Sequence, residues 1–598
     1  MTYRAPLADI LFTMNHAAGL GDGIASGLYG DLAYGFAETV LGEAAKFAEG
    51  VLAPLNRIGD TIGARYENGV VTTAPGWRDA YRRWIEGGWN ALTASQEFGG
   101  MGLPHLLQAA CLDMFSGANT AFTLAPILTM GAIDALVQHG SPELRRLYLG
   151  KIVSGEWTAT MNLTEPQAGS DLNAVACKAT RAEDGTYRII GTKIFITYGE
   201  HDLADNIIHL VLARLPDAPP GTRGISLFLV PKFLPDAQGA PGTRNDLRAS
   251  GIEHKMGIHG SPTCTMSYGD NAGAIGFLVG EENRGLACMF TMMNDARLAI
   301  GLQGVGLAEA ATRQAILYAR ARRQGRAPGH QGSGMSPIAA HPDVARMLMT
   351  MKALTAAARA ICYMTAAATD AAQRAIDVET RRQSADRASL LTPLAKAFAT
   401  DIANEVTSLG VQVHGGMGFI EETGAAQLMR DARIAAIYEG TNGIQAIDLV
   451  QRKLSLSSGA AIEAEIARMR ATIAALAAAG DARLQQSGMR LAEAVAALTD
   501  ATLWMTRTLA TAPAEALAGA TPYLRLFGLA RGGTALADMT LAALAAEPRD
   551  SDPTLGDHVA LVRFFAENIA ISAPGLAVSI MSGADFVHES DRLLGVDP

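Results

Sequence analysis

A β-rich middle segment between helix-forming flanks most constrains the fold of this chain. From residue 158 to 283, β-branched and aromatic runs at 187–190, 193–197, 207–212 and 225–230 alternate with turn residues. Such runs between turns are typical of a small antiparallel sheet or barrel. Long stretches rich in Ala, Leu and Met, punctuated by Gly and Pro, lie on both sides and predict helices. We therefore predict a mainly α protein with an inserted β domain.

The chain length implies several domains, because 598 residues exceed what one hydrophobic core supports. The predicted units are an N-terminal extension over residues 1–35, a helical domain over 36–157, the β domain over 158–283, a helical bundle over 284–455 and an additional helical domain over 456–598. Glycines interrupt the extension, and a polar linker precedes the last unit.

Composition argues against several classes of protein. The chain has 49 Lys and Arg against 59 Asp and Glu, and this net charge of -10 argues against a nucleic-acid binder. Its five cysteines are widely spaced, which predicts reduced thiols and a cytoplasmic location. The most apolar window, residues 121–137, contains Pro126 and Asp134 and is shorter than the roughly 20 residues of a membrane span. We predict no membrane span.

Motifs of several common enzyme classes are missing from the sequence. It contains no phosphate-binding Gly-x-x-x-x-Gly-Lys-Ser/Thr, no Gly-x-Ser-x-Gly nucleophile turn and no His-Glu-x-x-His zinc motif. The twelve histidines are scattered along the chain without the partners that metal ligands have. We therefore expect no metal site.

The first candidate site opens the β domain. Residues 161–171 place Thr164, a Pro turn and the pair Gly169-Ser170 together, and small residues let backbone N–H groups approach a planar or anionic ligand. Further on, Phe195 and Thr197 alternate on one strand face, where an aromatic wall and a hydroxyl could hold a flat ring. An ordinary capped turn is the alternative interpretation.

Two candidate segments lie in the second helical unit. A basic cluster at residues 320–326, including Arg322, ends an apolar helix and is either a diphosphate clamp or a solvated helix end. Downstream, residues 412–418 contain Gln412 and the glycines Gly415 and Gly416. These glycines form either a helix C-cap or a place where a cofactor approaches the backbone.

The strongest signal is the stretch from 428 to 445. In it, Glu439 lies at the junction between an apolar run and a glycine, just before an amphipathic helix. Taken alone, this is a carboxylate near a helix N-terminus, which is a common stabilising arrangement.

Together these segments resemble the acyl-CoA dehydrogenase family. Its two flavin-side signatures are similar to Leu163-Thr164-Glu165-Pro166 through Gly169-Ser170-Asp171, and to Arg430-Asp431-Ala432-Arg433 through Tyr438-Glu439-Gly440-Thr441, in the same order and spacing. The resemblance covers about residues 36–455. Strings at 3–7, 254–264 and 292–298 and the additional C-terminal unit are most similar to a long bacterial branch of the family.

The resemblance implies a fold and a cofactor. The fold is a helical domain, a β-barrel domain and a four-helix bundle, followed by the extra helical domain. FAD would bind between the barrel and the bundle. The residues implied to surround its ring system and diphosphate are Met161, Leu163, Thr164, Gly169, Ser170, Phe195 and Thr197. Phe195 stands where many relatives have Trp.

The resemblance also implies roles for residues of the second helical unit. Arg322 would reach the FAD diphosphate of a neighbouring subunit, Gln412, Gly415 and Gly416 would line the adenosine half, and Thr441 would contact the cofactor. The implied substrate-binding residues are Ser170, Asn294, Arg297 and Gly440, and the catalytic base is Glu439. Asn294 replaces a common carboxylate, and Gly443 and the segment 341–343 replace familiar Gln positions.

The activity implied is FAD-dependent α,β-dehydrogenation of an acyl-CoA thioester to the trans-2-enoyl-CoA. The branch favours 3-(methylthio)propanoyl-CoA or a short- to medium-chain acyl-CoA as substrate, with electrons passed to electron-transfer flavoprotein. We expect a homodimer or a larger homo-oligomer. The alternatives are a long-chain acyl-CoA dehydrogenase, an acyl-CoA oxidase, or a noncatalytic protein that binds CoA esters.

Overall fold

The β domain lies between helical parts of the chain, as the sequence predicts. The computed structural model of the chain describes residues 3–329, 331–546, 555–584 and 586–595. Most described residues are helical, and strands are concentrated between Trp157 and Val279. The chain forms a helical part, a β-barrel and a second helical part in that order, which confirms the predicted fold class.

The N-terminal part is a set of helices around one long buried helix. Its elements are α1 (Leu7–His16), α2 (Leu20–Ala25), α3 (Tyr34–Phe47), α4 (Ala53–Ile62), the hairpin strands β1 (Arg65–Glu67) and β2 (Val70–Thr72), α5 (Trp77–Glu86), α6 (His105–His139), α7 (Pro142–Leu144) and α8 (Gly150–Ser154). Within the predicted extension, Ile10 and Met14 of α1 are fully buried. The extension therefore packs against the rest of the protein through an apolar face.

Helix α6 is apolar on all sides. It and the stretch Gly556–Ser582 are long and apolar enough to cross a membrane by length and composition alone. The sequence argument from length fails for α6, because this helical stretch of 35 residues, kinked at Asn119, continues through Pro126. However, 89% of its most apolar window is buried inside the protein, against 39% for the other stretch. Burial of this kind is typical of a core helix.

The middle strands form a barrel. They are β3 (Trp157–Asn162), β4 (Lys178–Arg181), β5 (Tyr187–Thr197), β6 (Asn206–Arg214), β7 (Ile225–Pro231), β8 (Phe233–Pro235), β9 (Pro241–Arg244), β10 (Leu247–Ile252), β11 (Thr263–Tyr268) and β12 (Ala274–Val279). Strand β5 pairs with β12, then β7 and β6 follow, and β4 pairs with both β5 and β6, which closes the ring. The runs 187–190 and 193–197 belong to the single strand β5. Strand β3 joins β6 in parallel.

Long helices follow the barrel. The first group contains α9 (Gly285–Ala321), α10 (Pro342–Arg374), α11 (Val378–Pro393), α12 (Ala399–His414), α13 (Ala425–Arg433) and α14 (Asn442–Asp448). A π-helical turn, Leu394–Phe398, connects α11 to α12. The remaining helices are α15 (Ala460–Ala478), α16 (Ala482–Thr511), α17 (Pro513–Ala518), α18 (Ala520–Ala546), α19 (Leu555–Asn568), α20 (Ala573–Ser582) and α21 (Phe586–Leu594). Helix α18 packs against α10, which joins the two groups.

A buried ion cluster joins three of the long helices. The guanidinium of Arg359 on α10 lies 2.7 Å from Asp113 on α6 and 3.1 Å from Glu309 on α9. The Tyr363 hydroxyl donates a second hydrogen bond to Asp113, at 3.0 Å. Removing one partner of such a cluster leaves an uncompensated buried charge.

We predict that Arg359→Met destabilises the protein by about 3–5 kcal/mol, because the substitution leaves Asp113 and Glu309 buried without a cation. Calorimetric unfolding at neutral pH measures the effect as a lower Tm. The matched control is Arg346→Met, whose exposed pair with Asp343 on the same helix contributes at most about 1 kcal/mol. Equal shifts of Tm in both variants would contradict the prediction.

Candidate active site

A cavity of about 310 Å³ lies where the barrel meets the helices. A larger cavity of about 920 Å³ lies beside Tyr29 and Arg374, but its lining contains none of the candidate residues. The 310 Å³ cavity instead brings together ten of them: Met161, Leu163, Thr164, Gly169, Ser170, Phe195, Thr197, Arg297, Glu439 and Gly440. The fold thus places residues from distant parts of the chain around one space.

An exposed aromatic ring forms one wall of this cavity. The side of β5 that carries Phe195 and Thr197 faces the cavity, and Phe195 is 58% exposed. Its backbone is left-handed, with φ of 60°, which is unusual for a bulky residue. Gly169 also lines the cavity, and a Cβ at this position would meet no atom within 4 Å, so the space beside it is open. The arrangement leaves room for a flat ring system beside Phe195.

The loop after β3 is held by a buried lysine. The ammonium of Lys193 donates to the Leu163 carbonyl and to the Glu165 carboxylate, both at 2.8 Å. Glu165 also accepts hydrogen bonds from the backbone N–H groups of Ala176 and Cys177. These donors lower the pKa of Glu165 against the opposing effect of burial. Glu165 therefore supports the loop rather than facing the cavity.

Glu439 lies on a tight turn with two successive left-handed residues. The φ angle is 54° at Glu439 and 80° at Gly440. Glycine adopts a left-handed backbone readily, whereas the same backbone at glutamate is strained. A Cβ on Gly440 would also lie 2.8 Å from the Gln445 amide nitrogen. Thr441 then begins α14 by accepting a hydrogen bond from the Ile444 N–H at 3.1 Å. The turn points the Glu439 carboxyl into the cavity.

The surroundings of Glu439 favour its neutral form. Burial raises the pKa of this carboxyl to about 7, while the charges of Lys396 and Arg297 act in the opposite direction. Desolvation is the larger effect, since a charge is poorly stabilised where water is excluded. Near neutral pH the group can therefore both accept and release a proton, as a general base requires.

Arg297 is another charged group at the cavity, and its counter-ion lies on a different helix. The guanidinium is 4% exposed and lies 3.4 Å from Asp448 on α14. Asn294, one turn away, also accepts from it at 3.4 Å but is exposed and does not line the cavity. Asp448 is thus the carboxylate that pairs with Arg297. The sequence did not single out Asp448, because it occupies an ordinary position in an amphipathic helix.

Several candidate residues lie away from the cavity. Arg322 follows α9, and Gln412, Gly415 and Gly416 lie at the end of α12; all four are exposed. Thr441 caps α14 and does not line the cavity either. Within the described part of one chain, these five residues therefore do not line the cavity that contains the ten candidates named above.

Sequence reasoning missed the apolar side of the cavity. Leu128 of α6, Leu286, Phe290 and Met293 of α9, and Ile444 of α14 all line it. They belong to helices whose apolar residues are mostly core, so spacing alone does not separate a pocket wall from packing. The aromatic ring of Phe290 also lies near the guanidinium groups of Arg297 and Arg452, with centroid distances of 5.9 and 5.7 Å.

Comparisons with known proteins give the same order of domains along the chain. Models of the N-terminal, middle and C-terminal domains of acyl-CoA dehydrogenase match residues 37–156, 160–270 and 283–455. A fourth model, described as acetyl-CoA dehydrogenase C-terminal like, matches residues 465–591. Together the models account for most of the chain.

Similar proteins include enzymes and a solved structure. The chain is 46% identical to 3-methylmercaptopropionyl-CoA dehydrogenase of Ruegeria pomeroyi over 96% of each chain. It is 39% identical to a butyryl-CoA dehydrogenase of Syntrophomonas wolfei over 71% of each. An acyl-CoA dehydrogenase from Bacillus anthracis, solved with FAD, has the same fold with a TM-score of 0.74 at 22% identity, covering 95% of this chain and 92% of that one. The chain therefore belongs to the acyl-CoA dehydrogenase family of FAD-dependent oxidoreductases, in the long branch that includes 3-methylmercaptopropionyl-CoA dehydrogenase.

Proposed function

We propose that this enzyme removes the α-proton of an acyl-CoA thioester with Glu439, in an α,β-dehydrogenation that yields the trans-2-enoyl-CoA. The observation that carries the proposal is the half-buried Glu439 carboxyl, with a pKa of about 7, facing the same cavity as the Phe195 ring. A carboxyl of ordinary pKa is a weak base for a carbon acid, so raising the pKa makes proton abstraction easier.

The residues around the cavity fit FAD. Phe195 offers an exposed ring, Thr197 offers a hydroxyl on the same strand, and Gly169 leaves open space in the cavity lining. The rest of the ring system and the diphosphate would be held by Met161 in β3 and by Leu163, Thr164 and Ser170 in the loop after it. When bound there, FAD supplies the acceptor for the hydride that leaves the β-carbon.

We propose that a second copy of the chain completes the cofactor site. Arg322, Gln412, Gly415 and Gly416 are exposed and outside the cavity, which suits groups that contact FAD bound to a neighbouring subunit. Thr441 would contact the cofactor from the turn that carries Glu439. This arrangement implies a homodimer or a larger homo-oligomer.

The backbone around Glu439 has a second task. As the α-proton leaves, negative charge develops on the thioester oxygen and requires a hydrogen-bond donor. The backbone N–H of Glu439 would donate to this oxygen, since the left-handed turn fixes its direction. One such donor typically contributes roughly 10²- to 10³-fold in rate. The CoA portion of the substrate would be held by a separate set of residues, namely Ser170, Arg297, Gly440 and Asn294.

We propose 3-(methylthio)propanoyl-CoA as the preferred substrate, with short- to medium-chain acyl-CoA esters as weaker ones. The similar Ruegeria pomeroyi enzyme is named for the methylmercaptopropionyl thioester, and the cavity offers Met293 and Phe290, groups that pack well against a thioether sulfur. The similar butyryl-CoA dehydrogenase supports the unbranched short-chain alternative.

Electron-transfer flavoprotein is the proposed electron acceptor of the reduced enzyme. Rapid reoxidation of the product-bound enzyme by air would instead favour an oxidase.

We predict that Glu439→Gln abolishes dehydrogenation without abolishing ligand binding. Gln keeps the size of the side chain but cannot accept the α-proton. The rate of flavin bleaching by saturating 3-(methylthio)propanoyl-CoA, measured without oxygen, should fall by at least about 10²-fold, while FAD content stays as in the wild type.

Glu421→Gln is the matched control for this variant. Glu421 is an exposed carboxylate paired with Arg430 on the surface, so its loss should leave bleaching unchanged. If Glu439→Gln bleaches nearly as fast as the wild type, Glu439 is not the base. If the wild type itself is not bleached by any acyl-CoA ester, the noncatalytic alternative is favoured.

We predict that the bleaching rate rises with pH around a midpoint near 7. Glu439 must be ionised to accept the proton, and its raised pKa means that the ionised form predominates only above this pH. Stopped-flow rates at low substrate concentration, which follow kcat/KM, measure this midpoint across the neutral range, because kcat/KM reports the pKa of the enzyme without bound substrate. A midpoint near the ordinary Glu value of about 4.3 would contradict the environment described for this carboxyl.

A further inference from the structure

A buried lysine lies directly behind the turn that carries Glu439. Lys396 belongs to the π-helical turn Leu394–Phe398, and its side chain is 0% exposed. The ammonium donates to the Gly440 carbonyl and to the Asn442 side-chain oxygen, both at 2.9 Å. Residues one and three positions after Glu439 are thus held by one cation. π-Helical turns are frequent at functional sites, which fits this location.

Asn442 extends the contact to helix α12. Its side-chain nitrogen donates to the Thr400 hydroxyl at 2.9 Å and to the Asp401 carboxylate at 2.6 Å. The Thr400 hydroxyl in turn donates to the Lys396 carbonyl at 2.8 Å. Because Asn442 is the first residue of α14, this network ties the start of that helix to the neighbouring bundle.

The turn needs such a support. A left-handed backbone at a residue with a side chain is strained and persists only where the surroundings hold it. At Glu439, the carbonyl accepts a long contact from the Gln445 amide at 3.4 Å, whereas the next carbonyl, at Gly440, accepts the charged donor of Lys396. A hydrogen bond from an ionised donor is roughly twice as strong as a neutral one.

We propose that Lys396 is a positioning residue for the dehydrogenation: it fixes the Glu439–Asn442 turn through the Gly440 carbonyl and Asn442, and in its protonated form it brings a positive charge to the back of this turn. This inference rests on the proposed role of Glu439 as the base. Lys396 itself contacts the turn and not the substrate, so it acts through Glu439.

The charges around Lys396 define its electrostatic effect. Burial lowers the pKa of the Lys396 ammonium to about 7, Glu439 and Asp401 act to raise it, and Arg297 acts to lower it. Arg297 is itself paired with Asp448. Lys396 thereby lowers the pKa of Glu439 together with Arg297, against burial. Removing the lysine charge should therefore raise the pKa of Glu439 further.

The test compares Lys396→Met and Lys396→Gln with the wild type in anaerobic flavin bleaching across pH. Lys396→Met removes the donor and the charge, so we expect the limiting rate to fall roughly 10- to 100-fold, with KM changed much less, and the pH midpoint to rise. Lys396→Gln keeps N–H donors without the charge, so its midpoint should also rise while its limiting rate falls less.

Lys453→Met is the matched control. This lysine of the same helical group donates to the Ser389 hydroxyl at 2.8 Å and touches neither Gly440 nor Asn442. Its variant should keep the wild-type midpoint and limiting rate. A merely structural role of Lys396 would lower the yield or FAD content of Lys396→Met but leave the midpoint of the FAD-loaded enzyme unmoved, and that result would overturn the inference.

The two proposals fail in different ways. If Glu439→Gln stops bleaching while both Lys396 variants match the wild type in limiting rate and midpoint, the positioning role is wrong and the proposed function stands. If Glu439→Gln still bleaches the flavin, the proposed base is wrong, and the Lys396 inference falls with it. Should Lys396→Met not fold, the midpoint of Lys396→Gln decides, because its amide still satisfies the buried acceptors.

Discussion

The partial burial of Glu439 beside the cavity is the constraint on which the rest of the site depends. A carboxyl placed there is raised to a pKa of about 7 by burial, and the chain must then hold it in a left-handed turn that few residues adopt. The glycine that follows makes the turn possible, and Thr441 begins a helix immediately after it. The position of the proposed base thus depends on its backbone as much as on its side chain.

Positive charge around this carboxyl is limited and well compensated. Arg297 is paired with Asp448, and Lys396 gives its hydrogen bonds to the turn itself. Neither cation forms a close ion pair with Glu439, which would lower its pKa to the ordinary range and weaken it as a base. The two charges instead lie close enough to moderate the effect of burial, and the carboxyl stays able to titrate near neutrality.

The sequence predicts the parts of the site that depend on local patterns. Alternating β-branched runs predict the barrel, and the segments around Gly169 and Glu439 predict two sides of the cavity. Lys396 and Asp448 could not be predicted in this way, because each lies in an apolar helical stretch and gains its role from a contact across the fold. Glu165 is the opposite case: it belongs to a recognised motif, yet in the fold it does not line the cavity and instead supports its own loop through Lys193.

The protonation state of Glu439 can be observed directly. Infrared difference spectra between the wild type and Glu439→Gln, recorded without substrate from about pH 5 to about pH 9, isolate the carboxyl stretch of this one residue. We expect a protonated carboxyl band that disappears as the pH rises, with a midpoint near pH 7. A carboxylate band that is fully developed at the lowest pH would contradict it, because desolvation would then not control the base.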